Sequence, residues 1–234
     1  MQLSASSRVQ TAQSLWDRWC EAQGVLHESV PLFDCDDVRR VRTRMIGLAR
    51  QRPILCRHPD MNALILNETA KLVDDWSAKG GQFDGIIYMM FMPRPDGGII
   101  PLYIGKAETL GKGEGNLSAN LYRLEKDRSK FARWGDNYQY HIGDLSAAAL
   151  GGHPADKISP KYTRWAEVLF EDAPCERPKL RQDVRFWAKA WKPTDVGIWA
   201  EMSPTRLTFL EYLLIGVASS VFGSVLLNAE GRNR

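Results

Sequence analysis

Gly85-Ile86-Ile87-Tyr88-Met89-Met90-Phe91-Met92 is a near-continuous apolar run, followed by Pro93-Arg94-Pro95-Asp96-Gly97-Gly98 and a second short run, Ile99-Ile100-Pro101-Leu102-Tyr103-Ile104. Two apolar runs of strand length around a proline- and glycine-rich hexapeptide read as strand, tight turn, strand. If the turn is Arg94-Pro95-Asp96-Gly97, with proline at its second position as type I turns favour, Tyr88 falls opposite Tyr103. Two phenols would then share one sheet face, roughly 5 Å apart at Cβ. A bulge at Gly97 would move them to opposite faces. Taken alone, strand tyrosines are ordinary packing residues.

Outward from this hairpin, helical spacing of Val9, Ala12, Leu15, Trp16 and Trp19 predicts a helix over residues 9 to 22. Asp36 or Asp37 can cap a second helix with Val38, Val41, Met45 and Leu48 inward, ended by Pro53. A third runs from 61 to 79 until Gly80-Gly81 breaks it. That glycine pair is the expected boundary between a helical N-terminal extension, residues 1 to 80, and a second unit, residues 81 to 234. Beyond the hairpin, Asn116 or Ser118 can open a helix with Leu117, Leu121, Leu124 and Phe131 inward. Residues 138 to 142 read as a short strand, residues 162 to 170 as a helix. Val184, Phe186, Ala188 and Ala190 alternate with Arg185, Trp187, Lys189 and Trp191 as a third strand would. Ser203 or Thr205 caps a long final helix. The fold class predicted is α/β (α+β): a small antiparallel three-stranded sheet flanked by helices.

Composition bounds the function. The 234 residues are 44% hydrophobic and 25% charged, with a net charge of only +3. Seven arginines, at 39, 40, 42, 44, 50, 52 and 57, stand between residues 38 and 59 with no acid among them, so the rest of the chain is net acidic. Basicity this local suits a phosphate-binding surface, and equally a helix docked on acidic parts of its own chain. The four cysteines are far apart, Cys56 with His58 has no second pair to complete a metal site, and no apolar signal region precedes Ser4, Ser6 and Ser7. A reducing cytoplasm is expected. Residues 207 to 227 are apolar but interrupted by Glu211 and three serines, so a buried helix is a better reading than a membrane anchor.

Gly85-Ile86-Ile87-Tyr88 and Tyr103-Ile104-Gly105-Lys106 resemble the two elements that name the GIY-YIG nuclease family, the first with one extra apolar residue. Arg123-Leu124 is similar to that family's helix-borne arginine, and Glu211 with Asn228 is similar to its metal-binding glutamate and closing asparagine. The resemblance covers residues 85 to 228. It departs from the family pattern at Asn120 and Asp127, in the absence of a proline before Asn228, and in an insertion near residues 138 to 180; Arg128 or Arg133 could replace Arg123 as the catalytic arginine.

The resemblance implies a metal-dependent endonuclease that hydrolyses DNA phosphodiesters, of restriction or phage-defence type. Tyr88 would be the general base, Tyr103 would orient water or phosphate, and Arg123 would fork onto phosphate oxygens. Glu211 would hold a single Mg²⁺ or Mn²⁺. Lys106 would add charge and Asn228 would position backbone or metal shell, while Arg39, Arg40, Arg42 and Arg44 would contact DNA phosphates. Other roles for Glu211, Arg123 and Asn228 are a salt bridge to Arg206, a solvated charge and a helix cap. His141 is a candidate second base or phosphate ligand, and His153 reads as a loop residue. The competing function is a non-cleaving DNA-binding or assembly protein on the same scaffold. No membrane partner is expected, and a homodimer is compatible with the sequence.

Overall fold

The computed structural model describes residues 5–48, 51–111, 115–202 and 204–232. In chain order the elements are α1 (Ala5–Ala22), β1 (Val30–Pro31), β2 (Thr43–Ile46), β3 (Arg52–Leu55), α2 (Pro59–Ser77), β4 (Gly85–Pro93), β5 (Ile99–Glu108), α3 (His141–Ala149), α4 (Pro160–Leu169), β6 (Arg185–Trp191) and α5 (Leu207–Phe222). The main sheet is antiparallel with order β1-β6-β4-β5, and β2 and β3 form a separate hairpin. The class is mixed α/β, and the expectation of three strands is corrected to four, because the two-residue β1 adds to β6.

β4 lies between two strands and is buried from Gly85 through Phe91, which explains a run without polar alternation. Its alternate residues feed two cores. Ile86, Tyr88 and Met90 join Phe186, Ala188 and Ala190 of β6 under α2, α3 and α4. Ile87, Met89 and Phe91 join Trp187 and Trp191 under α1 and α5, where Trp16, Trp19, Leu210 and Leu214 pack. The expected N-terminal extension is thus built into both sides of the sheet through α1, β1 and α2.

The hairpin register contains two irregularities. Pro93 pairs with Ile99, and Gly97 has φ of 82°, so the turn takes the form that by itself would send the two tyrosines to opposite faces. A second bulge then leaves Leu102 without a partner, between Phe91↔Pro101 and Met90↔Tyr103. The two shifts cancel in parity. Tyr88 stands opposite Gly105, and Tyr103 opposite Met90, on one face.

Three expected elements are corrected. The helix after Asp36 is absent: Val38 and Met45 are exposed, only Val41 is buried, and residues 43–46 form β2. Arg-Val-Arg-Thr-Arg alternates with period two and carries β-branched residues at 41 and 43, which suits a strand. Residues 116 to 130 are turns where a helix was expected, although Leu121, Leu124 and Phe131 do face inward. Ser118 Oγ accepts from the Asn120 amide and Asp127 Oδ1 from that of Ser129, local bonds that compete with a helical ladder. His141 opens α3 and is not on a strand. The final helix is capped from a distance: the Asp84 carboxylate accepts from the Leu207 amide at 3.1 Å and from the Arg206 fork at 2.7 Å twice. Thr205 instead gives its carbonyl to Trp191 Nε1, and Ser203 lies outside the described residues. Among the described residues no helix is long and apolar enough to cross a membrane.

Candidate functional site

The strands bring Tyr88 and Tyr103 to stack at 6.4 Å with a 30° interplanar angle. The approach depends on Gly105. A Cβ there would sit 2.7 Å from Tyr88 Oη and Cε2, so the phenol occupies the space a side chain would need. Phe186 and Trp134 hold the other sides of the Tyr88 ring, at 6.1 and 5.8 Å.

Behind the tyrosines lies His141, 3% exposed. Its Nε2 is 3.5 Å from Tyr88 Oη and its Nδ1 is 2.8 Å from Tyr162 Oη, so a buried phenol–imidazole–phenol chain links β4, α3 and α4. The imidazole also stacks on Trp165 and meets the Tyr103 ring edge-on at 4.9 Å. Burial, then the charges of Lys161 and Arg133, hold the His141 pKa well below its ordinary value. The imidazole is neutral near pH 7, accepting from one phenol and donating to the other.

Two cations border this chain. Lys161 lies over the Tyr103 ring at 5.3 Å and the Tyr162 ring at 5.0 Å. Arg133 reaches Tyr88, Tyr103 and Tyr162 electrostatically, lowering the pKa of each. It is delivered by a strained segment, since Phe131, Ala132 and Arg133 have φ of 29°, 48° and 74°. Three consecutive non-glycine residues in that region each cost on the order of 1–3 kcal/mol, and such strain gathers where geometry serves a site.

The three candidate arginines have different surroundings. Arg123 is in a turn with φ of 56°, rests on Tyr122 at 4.8 Å, and lines a surface cleft with Leu66, Ala70 and Val73 of α2. Arg128 lies over Phe131. Arg133 is the arginine whose charge meets both tyrosines. For Tyr88, the expected general base, burial works against that role. Burial, followed by the charge of Tyr103, raises its pKa well above 10, outweighing Arg133. Burial, then Glu211, pushes Tyr103 up to about 12. Both stand as protonated donors near neutrality.

Glu211 is partly exposed on α5 and has no ion pair or hydrogen bond among the described residues. Its expected alternative partner, Arg206, is taken by Asp84. Burial raises the Glu211 pKa; Lys106 lowers it, and Glu108 and Glu230 raise it further. Its charge reaches both Tyr103 and Tyr88. Lys106 is paired with Glu108 at 2.5 Å. Asn228 is 6% exposed and serves the backbone: Oδ1 accepts from the Ile104 amide at 3.0 Å and Nδ2 donates to the Ile104 carbonyl at 2.8 Å. One side chain thereby supplies the missing partner for the outer edge of β5.

The arginines expected to contact DNA are largely occupied. Arg40 pairs with Asp172 at 2.8 Å, Arg42 with Asp34 at 3.4 Å and Arg44 with Asp136 at 2.5 Å, and the Arg39 charge lowers the Glu171 pKa. These acids lie on the same chain, and the basic run meets them as bridges and a hairpin in place of a helix. Lys161, Tyr162, Trp134 and Trp165 were not singled out in the sequence. No protein family, curated protein or solved structure matches the chain, so its chemistry has to be read from these residues and their geometry.

Proposed function

We propose that the chain is a metal-dependent endonuclease that hydrolyses DNA phosphodiester bonds, with Tyr103, Arg133, Lys161 and Glu211 at the mouth of the site and Tyr88–His141–Tyr162 behind it. One observation supports the reading: the two phenols stack at 6.4 Å with Lys161 over one ring, and the charges of Arg133 and of Glu211, which has no ion pair among the described residues, reach them. A phosphate with a cation would fit between such charges.

Glu211 suits a hard divalent ion. It is a single, partly buried carboxylate on an apolar helix, without a cationic partner among the described residues, and it would hold Mg²⁺ or Mn²⁺ largely through retained waters. A bound ion would supply Lewis-acid stabilisation of the charge that develops on the phosphate. The protein's own groups would bind and orient the phosphate. Arg133 can fork onto non-bridging oxygens, and Tyr103 Oη can donate to the phosphate. Tyr88 Oη can donate to His141 Nε2 while His141 Nδ1–H donates to Tyr162 Oη, so the buried chain holds the protonated Tyr88 phenol in place behind the phosphate. The same reading places the protein in a reducing cytoplasm, where four free thiols are stable.

The 2% exposure of Tyr88 favours the second reading, a scaffold of this shape that binds DNA without cutting it. Plasmid cleavage in Mg²⁺ and in EDTA decides between them. The native chain should cut only in Mg²⁺. Glu211→Gln should cut at least about a hundredfold more slowly while retaining DNA binding and melting temperature. No cutting by the folded native chain, or full activity in Glu211→Gln, would remove the nuclease reading from this site.

A further inference from the structure

Two guanidinium groups hold one carboxylate, and two more lie beside them, at the junction of β2, β3 and residues 128 to 138. Arg57, with 5% of its side chain exposed, donates to Asp136 Oδ1 at 2.6 Å, to the Trp134 carbonyl at 2.7 Å and to Asn62 Oδ1 at 2.8 Å. Arg44 takes the other carboxylate oxygen at 2.5 Å. Arg52 reaches the Asp136 carbonyl and Asn137 Oδ1, both at 3.3 Å, and lies over Tyr138 at 4.3 Å. Arg128 and Arg57 both rest on Phe131, at 4.6 and 4.5 Å.

Among the described residues Asp136 is the carboxylate ion-paired with this group, and Glu125 acts on Arg128 only at longer range. Both Asp136 oxygens are engaged. Arg52 Nε and Arg128 Nη1 are nevertheless buried without a hydrogen-bond partner among the described residues. A buried donor left unpaired costs about 1–3 kcal/mol, and more when charged. The Arg57–Asp136 pair has the burial and the backbone and amide partners of a structural ion pair. The other three arginines leave uncompensated positive charge around it. Arg44 is exposed and Arg52 and Arg128 are partly exposed, so the outer N–H groups of their planar forks can meet the oxygens of a phosphate group.

We propose that Arg44, Arg52 and Arg128, set on the Arg57–Asp136 pair, form a phosphate-binding site that takes a phosphodiester of the nucleic-acid backbone. Only the source of that phosphate rests on the nuclease reading. Residues 131 to 136 tie the two places together: Arg133 serves the tyrosines, the Trp134 ring packs on Tyr88 while its carbonyl accepts from Arg57, and Asp136 anchors the arginines. A strand whose scissile phosphate lies at Arg133 would place a further phosphate of the same backbone at this cluster. The site would contribute affinity and register, with sequence read elsewhere.

The test compares the native chain, the double variant Arg52→Gln with Arg128→Gln, and the single variant Arg44→Gln. The Arg44 side chain is 49% exposed, so its variant keeps the test informative should the double variant not fold. Duplex DNA binding is measured by fluorescence anisotropy in EDTA over a range of salt, and thermal melting with and without inorganic phosphate. Affinity for DNA should fall roughly tenfold per arginine removed, and the salt dependence should flatten by about 0.9 log unit for each arginine–phosphate pairing abolished. If phosphate instead stabilises the native chain more than the variants while DNA binding is equal in all, the site stands with free phosphate as its source. Equal DNA affinity, equal salt slope and equal response to phosphate in the native chain and Arg44→Gln would overturn the site. A chain that binds DNA through these arginines yet never cuts in Mg²⁺ keeps the site and loses the nuclease reading.

Discussion

Gly105 shows how much of the site hangs on one missing side chain. The Tyr88 ring fills the space above it, and Phe186, Trp134 and Tyr103 leave the ring no free direction. Gly105→Ala should therefore cost about 1–3 kcal/mol through overpacking. Urea denaturation would show this as a lower midpoint at unchanged slope, and an unchanged midpoint would mean the ring does not lie where the structure puts it. The tyrosines and Gly105 could be found in the sequence because they lie within one hairpin, a few residues from its turn. Arg133 could not be chosen over Arg123 or Arg128, because the choice depends on left-handed backbone at residues 131 to 133, which non-glycine residues adopt only when surrounding packing enforces it.

Edge strand β5 presents unpaired backbone groups that water or another chain could take. Asn228 closes it at Ile104 with one acceptor and one donor, and the Leu227 amide donates to the carbonyl of the bulged Leu102 at 2.7 Å. Asn228→Leu keeps the volume and removes both side-chain bonds, so it should cost about 2–4 kcal/mol, since two buried backbone groups lose their partners. Hydrogen exchange at the Ile104 amide should accelerate as well. Native-like stability together with an unchanged Ile104 exchange rate would show that water replaces the amide without penalty. The same scale explains which elements were legible. β4, β6, α1, α2 and α5 carry long, unbroken apolar periods that the sequence displays directly. Residues 36 to 48 contain too few apolar positions to separate periods of two and 3.6, and only pairing with β3 decides the matter. At 116 to 130 the inward leucines fit a helix, but serine and aspartate side chains bond the backbone locally and leave turns.

Across the whole molecule, one sheet separates an α1–α5 core from an α2–α3–α4 core, and the second contains the buried chain Tyr88–His141–Tyr162. These residues come from β4, α3 and α4, 53 and 21 residues apart along the chain, so no local pattern could bring them together. His141 makes this burial visible in the pH dependence of stability. Its pKa is well below 6.5 when folded and close to about 6.5 when unfolded. Below about pH 6.5 the unfolded chain therefore takes up a proton that the folded chain refuses, and stability falls as pH falls, by up to about 1.4 kcal/mol per pH unit. The contribution is fully present above about pH 6.5 and shrinks until the folded pKa is reached or the chain unfolds. His153, half-buried and also lowered by burial, acts in the same sense. Asp144 and Glu211, raised by burial, act in the opposite sense at lower pH. Comparison of variants isolates the imidazole. His141→Gln should lower stability at pH 8 because its hydrogen bond to Tyr162 is gone, yet show a smaller decline between pH 7 and pH 5.5 than the native chain, whereas His153→Gln should leave most of that decline in place. Urea midpoints at closely spaced pH values measure it. If native and His141→Gln proteins lose stability in parallel over that interval, His141 is not a buried neutral imidazole, and the hydrogen-bonded chain from Tyr88 to Tyr162 is not held as drawn.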